Sequence, residues 1–336
     1  MGRAIVISEK RYESLSMSPS SQEIPGPRPP VTDPFGRPVR SLRISVTQVC
    51  DLKCPHCHRE GQTESASEMT PAELERLVGI SRAIGVRKVK LTGGEPLLRD
   101  DIVDVVSRIS PLVSEVSMTT NGTRLSELSG QLRRAGLSRV NVSLHSLDPG
   151  VYSRLCGRDM VDKVVSGIRS ALDAGLTPVK VNMVVMRGQN EHEIQAMIRF
   201  CSEVGAVLQL IEYETDRESE NGCHFAQRFY SLKGVEDELA SLASEVSANE
   251  LHRRRRYLIE RRGKPVLVEV VRPMHNSEFC SNCTRLRLSS DGKLKPCLLD
   301  RSGDTDIITP LRGGASDAEI RELFIRTISN RRPYWG

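Results

Sequence analysis

The chain has 336 residues, 38% of them hydrophobic, with a formal net charge of +5 and 4% aromatic residues. That length supports one large core with a smaller unit attached, and the weak positive charge with so few rings to stack on bases argues against a nucleic-acid partner and for a small anionic ligand. No apolar run approaches the roughly 20 residues of a membrane helix, and the opening MGRAIVISEKRYESL has too short an apolar run for a secretory signal, so the expected location is cytoplasmic, with no membrane contact.

In chain order, residues 1–40 come first and include SMSPSSQEIPGPRPPVTDPFGRPV, a Pro, Ser and Gly-rich stretch with little apolar surface to bury. They read as a flexible N-terminal arm. From Leu42 onward β-type and helical runs alternate: LRISVT then TPAELERLVGISRAIG, VRKVKLTG then DDIVDVVSRIS, EVSMTTN then LSELSGQLRRAG. The alternation continues with RVNVSLH then MVDKVVSGIRSALDAG, PVKVNMVVM then EHEIQAMIRFCSEVG, and VLQLIEYE. Thr70, with Pro71 at the first helical position and Glu73 behind it, predicts a capping box that opens the first helix. Such repetition implies a parallel sheet.

Strand patterning decides its shape. Strands of an ordinary parallel sheet are buried on both faces and read as continuous apolar runs; these alternate. One face carries Arg43, Ser45 and Thr47, then Lys88, Lys90 and Thr92, then Ser117, Thr119 and Asn121, then Asn141, Ser143 and His145, then Lys180, Asn182 and Gln209. The other carries Ile44, Val89, Leu91, Val142, Leu144 and Val181, fit to pack on helices. A polar face covered by a closed sheet lines a cavity, and unpaired buried cations cost several kcal/mol, so a polyphosphate is the ligand that would satisfy them. The fold class is therefore α/β, a partial (β/α)6 TIM-like barrel over residues 41–250 with a smaller C-terminal domain over 251–336.

Cys50, Cys54 and Cys57 follow the first strand as CX3CX2C, where the loops of such barrels build active sites. Three thiolates can bind three irons of a [4Fe-4S] cluster and leave the fourth open; zinc completed by His56 or His58 is the rival. Cys280 and Cys283 lie two residues apart, Cys297 follows thirteen later, and the Asp291-Gly292 turn folds the intervening strands together. The same choice arises there, with His275 as the fourth zinc ligand.

CX3CX2C followed by Thr92-Gly93-Gly94-Glu95-Pro96 resembles the radical S-adenosylmethionine (SAM) superfamily. The second triad with Arg285-Leu286-Arg287 is similar to the GTP 3′,8-cyclase (MoaA) family, which opens molybdenum cofactor biosynthesis, over about Leu42 to Arg312. The resemblance implies two [4Fe-4S] clusters, SAM on the first and the guanine of GTP on the second. A 5′-deoxyadenosyl radical would take hydrogen from ribose C3′, and C3′ would attack guanine C8. By position it implies cofactor contacts at His56, Gly94, Ser143 and Glu214. GTP contacts would come from Arg43, Lys90, Thr119, Lys180, Arg285, Leu286 and Arg287, with Arg285 and Arg287 catalytic. An electron donor and a cyclic pyranopterin monophosphate synthase are the implied partners, and a homodimer is compatible with it.

The chain departs from that family at His56, in place of an aromatic, at Lys90 and Gln209, in place of arginines, and at Glu214, in place of a methionine. Its ending Tyr334-Trp335-Gly336 replaces the Gly-Gly tail. Cys156, Cys201 and Cys223 read as ordinary thiols, and Arg253 to Arg256 as a solvated face before a hairpin through Gly263. Two other classes share parts of the pattern: a radical SAM peptide-modifying enzyme, and a zinc-stabilised nucleotide-binding protein.

Overall fold

In this computed structural model, residues 29–61, 68–249, 251–261, 263–300 and 302–335 are described. Six strands follow one another: β1 (Ser41–Ser45), β2 (Lys88–Thr92), β3 (Glu115–Thr120), β4 (Arg139–Ser143), β5 (Lys180–Val185) and β6 (Val207–Glu212). Each pairs in parallel with the next. A strand order that runs straight through the sequence is that of a barrel, since a doubly wound sheet reverses at a switch point.

The C-terminal part adds β7 (Glu245–Ala248), β8 (Arg255–Arg261), β9 (Lys264–Val271), β10 (Arg285–Leu288), β11 (Lys293–Lys295) and β12 (Thr305–Asp306). These extend both edges of the same sheet, whose order is β12-β11-β10-β1-β2-β3-β4-β5-β6-β9-β8-β7. The expected division near residue 250 thus coincides with no break in hydrogen bonding, because β9 pairs in parallel with β6 and β10 with β1.

The apolar faces pack as the alternation requires: Val89, Leu91, Val142, Leu144 and Val181 are wholly buried in one continuous core. Helix Pro71–Arg82 opens with the predicted capping box, in which Thr70 Oγ1 accepts the Glu73 N–H at 3.2 Å and Glu73 accepts the Thr70 N–H at 2.7 Å. The hairpin turns also form, with Gly263 and Gly292 at φ of 75° and 77°, a region that favours glycine.

The flexible arm of residues 1–40 requires correction in its last third. Residues 29–40 lie on the body of the protein: Val31 N–H donates to Ile84 O at 3.0 Å, Arg40 N–H to Thr284 O at 3.0 Å, and Val39 is fully buried. Asp33 is the reason. Its carboxylate accepts the amides of Phe35 and Arg37 at 3.0 Å each and pairs with buried Arg37 and Arg331 at 2.7 and 3.2 Å. A closed turn with its charges paired orders a segment whose composition alone suggested an arm. Residues 1–28 lie outside the described residues.

Candidate active site

Side chains at one register position share a face of the sheet, so strand pairing assembles the interior row by row. Arg43 lies opposite Lys90 on one side and Arg287 on the other, Lys90 opposite Ser117, and Ser117 opposite Arg139. One step along, Thr119, Asn141 and Lys180 align, and then Asn182, Gln209, Glu269 and Arg256. Members of these rows line a cavity of about 1120 Å³, into which Arg254, Arg285 and Cys283 also project. The cations have few anions to answer them. Glu269 pairs with Lys180 at 2.6 Å and Arg256 at 3.0 Å, and Glu115 pairs with Arg139 at 2.7 Å.

Lys90 donates to Asn141 Oδ1 at 2.9 Å, and burial followed by the fields of Arg139 and Arg43 drives its ammonium well below the ordinary lysine value. Burial likewise lowers Lys180 to about 8, with Glu269 opposing, and pushes Arg285 down with help from Arg254 and Arg43. Each of these groups would be relieved by an anion, because opposite charge favours the protonated form that burial disfavours.

The first triad hangs from the loop after β1. Lys53 N–H donates to Cys156 O at 2.9 Å, Cys57 N–H donates to Cys54 O at 3.1 Å, and Asp51 accepts from Asn121 Nδ2 and Thr123 Oγ1 at 2.7 and 2.9 Å. Cys156, read as an ordinary thiol, acts on Cys54: together with burial it raises the Cys54 thiol above its ordinary value. Gly93 and Gly94 explain the close passage of the next loop: a Cβ on Gly94 would stand 2.3 Å from Val49 O, and one on Gly93 2.6 Å from Thr47 O. The crowding is thus against the segment that leads into Cys50. Glu95, fully buried, accepts from Thr120 Oγ1, Asn121 N–H and Leu97 N–H at 2.6, 2.6 and 2.9 Å, yet burial still raises its carboxyl to about 7.

His56 lies in this loop, its Nε2 3.1 Å from Nε2 of His145, and burial lowers both imidazoles, His56 to about 4. Ser143 ends β4, and Glu214 lies two residues beyond β6.

The second triad is tied to both chain ends. Arg37 donates to Cys280 O at 3.0 Å, Arg331 to Cys283 O at 2.7 Å, and the Trp335 N–H to Cys280 Sγ at 3.3 Å. Burial would raise the Cys283 thiol, but Arg285 and Arg331 outweigh it and hold it below its usual value.

In each triad amide hydrogens are aimed at sulfur, which stabilises thiolates of the kind that bind iron-sulfur clusters. Leu52 N–H donates to Cys50 Sγ at 3.5 Å and Arg59 N–H to Cys57 Sγ at 3.3 Å, as Trp335 does at Cys280. His275, the candidate fourth zinc ligand, instead bonds Glu220.

Two residue assignments change. Leu286, expected among the GTP contacts, has its side chain fully buried in the core beside Leu42, because alternation turns it away from Arg285 and Arg287; only its main chain remains for a ligand. The run Arg253 to Arg256 is not simply a solvated face. Arg253 is exposed against Glu278, while Arg254 and Arg256 line the cavity, and the pairing of β8 with β9 sets Arg256 on Glu269.

Sequence reasoning missed Glu60 altogether. Its backbone lies in the left-handed region at φ 51°, and its carboxylate bridges Arg43 at 2.7 Å and Arg287 at 2.5 Å. Burial alone would raise this acid, but the two guanidiniums hold it at about 2. Glu60 therefore joins the cysteine loop to β1 and β10. Its place three residues after Cys57 was the only clue.

Residues 44–201 match the Radical SAM superfamily and residues 206–336 match Molybdenum Cofactor Synthesis C. A probable GTP 3′,8-cyclase of Pyrococcus abyssi is 53% identical over 303 residues, 90% of this chain and 99% of that protein. The chain belongs to the GTP 3′,8-cyclase family. Another probable GTP 3′,8-cyclase, from Methanothermobacter thermautotrophicus, is 45% identical over 310 residues, 91% of this chain and 99% of that protein. Among solved structures, Streptococcus suis SuiB bound to precursor peptide SuiA superposes with a TM-score of 0.62 at 18% identity, over 90% of this chain and 67% of that one. This last likeness bears on the fold, the partial barrel expected from the strand pattern. As a radical SAM enzyme of the GTP 3′,8-cyclase family, the chain takes S-adenosylmethionine and iron-sulfur clusters as cofactors.

Proposed function

We infer that this chain converts GTP to (8S)-3′,8-cyclo-7,8-dihydroguanosine 5′-triphosphate, the cyclisation that begins molybdopterin synthesis. The observation that carries the reading is the cation-lined cavity, into which Cys283 of the second triad and Arg285 both project. Cys50, Cys54 and Cys57 would hold a cluster that, with SAM bound to it, would supply the 5′-deoxyadenosyl radical chemistry needed to activate ribose C3′ for bonding to guanine C8.

The residues of this chain do the positioning. Arg43, Lys90 and Lys180 hold the triphosphate at the interior rows, with Thr119 beside them, and Cys280, Cys283 and Cys297 would hold a second cluster, which would supply a binding point for the guanine. Arg285 and Arg287 project from the same face of β10. Arg287 is oriented by Glu60 and stabilises charge as the ring system changes. Ser143, Gly94, Glu214 and His56 border SAM. Fixing C3′ and C8 in one cavity converts an encounter into an intramolecular step. An external electron donor closes the cycle, and a cyclic pyranopterin monophosphate synthase consumes the product. No helix among the described residues is long and apolar enough to cross a membrane, in keeping with a cytoplasmic site for the reaction.

The test is an anaerobic assay of the cluster-loaded protein with GTP, SAM and a reductant. Cyclised nucleotide should appear in step with 5′-deoxyadenosine. Arg287→Ala should keep both clusters and still form 5′-deoxyadenosine, with cyclised product lower by on the order of a hundredfold, the scale of one lost positioned electrostatic contact. Cleavage of SAM without dependence on GTP, or a normal yield from Arg287→Ala, would overturn the assignment.

A further inference from the structure

Three segments far apart in the chain meet at the second cysteine triad. The turn around Gly36, at φ 76°, is closed by Asp33, whose Oδ1 accepts the Phe35 and Arg37 amides, and the Arg37 guanidinium folds back onto Asp33 Oδ2 at 2.7 Å. Arg331 follows the helix Asp317–Ser329 and reaches the same carboxylate oxygen at 3.2 Å and Arg37 O at 3.2 Å. Both guanidiniums also grip the cysteine pair: Arg37 donates to Cys280 O at 3.0 Å and Arg331 to Cys283 O at 2.7 Å. The Cys283 N–H donates to Cys280 O as well, at 3.1 Å. The two ends of the CX2C turn are thereby held through the main chain, without the use of a thiol.

The charges of this group do not cancel. Asp33, Arg37 and Arg331 are each at most 5% exposed, and among the described residues Asp33 is the only carboxylate that pairs with either guanidinium. Two cations against one anion leave a positive charge in the interior, and a buried cation without a counter-charge is strongly disfavoured. The cysteine pair offers one, because the thiolate is the form that binds a metal. One electron taken from an external donor adds a further negative charge to a cluster held there, and a fixed positive charge beside it favours that reduced form.

We propose that Asp33, Arg37 and Arg331 form a clamp of positioning residues for the second cluster, which holds the Cys280 and Cys283 turn by its carbonyls and raises the cluster's reduction potential through the charge that Asp33 leaves unmatched. This rests on the reading above that Cys280, Cys283 and Cys297 bind a cluster, and adds to it what sets that cluster's affinity for an electron.

The experiment is an anaerobic redox titration of the cluster-loaded protein followed by electron paramagnetic resonance. The signal that changes on addition of SAM marks the first cluster and serves as an internal reference, and iron content shows whether each variant keeps both. Arg331→Met removes a cation, so the second cluster should be about tenfold less reduced at a fixed potential, a fall of about 59 mV for a one-electron couple. Asp33→Asn keeps the acceptor oxygen of the turn but removes the negative charge, and should move the same potential upward by a similar amount. Arg331→Lys keeps the charge without the fork and should stay within about threefold of wild type in the same ratio. If Arg331→Met alone sheds the cluster, the upward shift in Asp33→Asn decides. Shifts of the same sign in Arg331→Met and Asp33→Asn, no shift in either, or loss of the second cluster from all three variants would each overturn the proposal and leave the trio as packing. Wild-type protein that loads only one cluster would instead sink the reading that Cys280, Cys283 and Cys297 bind one.

Discussion

Replacing Lys180 with methionine removes one cation from the cavity and nearly preserves side-chain length. The fold should tolerate this, because Glu269 would keep Arg256 at 3.0 Å and Gln209 Nε2 at 2.8 Å. A charge-assisted contact to phosphate contributes about 1.5–3 kcal/mol, so GTP affinity should fall at least tenfold. The lysine also predicts a pH signature. Burial, only partly offset by Glu269, lowers it from the ordinary 10.5 to about 8 in the free protein. A bound triphosphate favours the charged form and restores a higher value, so binding above about pH 8 must take up a proton, and affinity must weaken as pH climbs from there toward 10.5. Calorimetry of GTP binding at pH 7 and pH 9, in buffers of different ionisation enthalpy, measures both effects. Lys180→Met should bind weakly at both pH values and take up fewer protons at pH 9. Equal affinity in the two proteins, or unchanged proton uptake, would place Lys180 outside the triphosphate site.

The two triads should separate genetically: alanine at Cys50, Cys54 or Cys57 abolishes SAM cleavage, while alanine at Cys280, Cys283 or Cys297 mainly destroys cyclisation; product analysis by chromatography would show the reverse if the roles were exchanged. Glu60, held at about 2 against an ordinary 4.5, contributes stability that is present above pH 4.5 and lost as pH falls toward 2. Glu60→Gln should therefore flatten the dependence on pH of the unfolding free energy from urea titrations across that window by on the order of 3 kcal/mol, and an unaltered slope would deny the bridge to Arg43 and Arg287. Gly94→Ala would press a methyl group to 2.3 Å from Val49 O and 2.5 Å from Gln48 O, both backbone atoms that cannot yield cheaply. Its iron content and SAM affinity should both drop, and normal values for both would refute the crowding.

Local pattern alone determined the outlines of this protein. Cys50, Cys54 and Cys57 are close in sequence and must be close in space, and the alternation along each strand separated Arg43, Lys90, Lys180 and Gln209 from the residues that pack on helices. Pairs joined across the sheet were not legible. Arg254 and Arg256 read as solvated because nothing in their neighbourhood in the chain announces the cavity they share with Glu269, which lies opposite Arg256 only through the pairing of β8 with β9. Glu60 gains its meaning from Arg43 and Arg287, 17 and 227 residues away in the chain. Side-chain periodicity assigns a residue to a face; strand register and loop closure, which depend on the whole sheet, decide which residue stands opposite it.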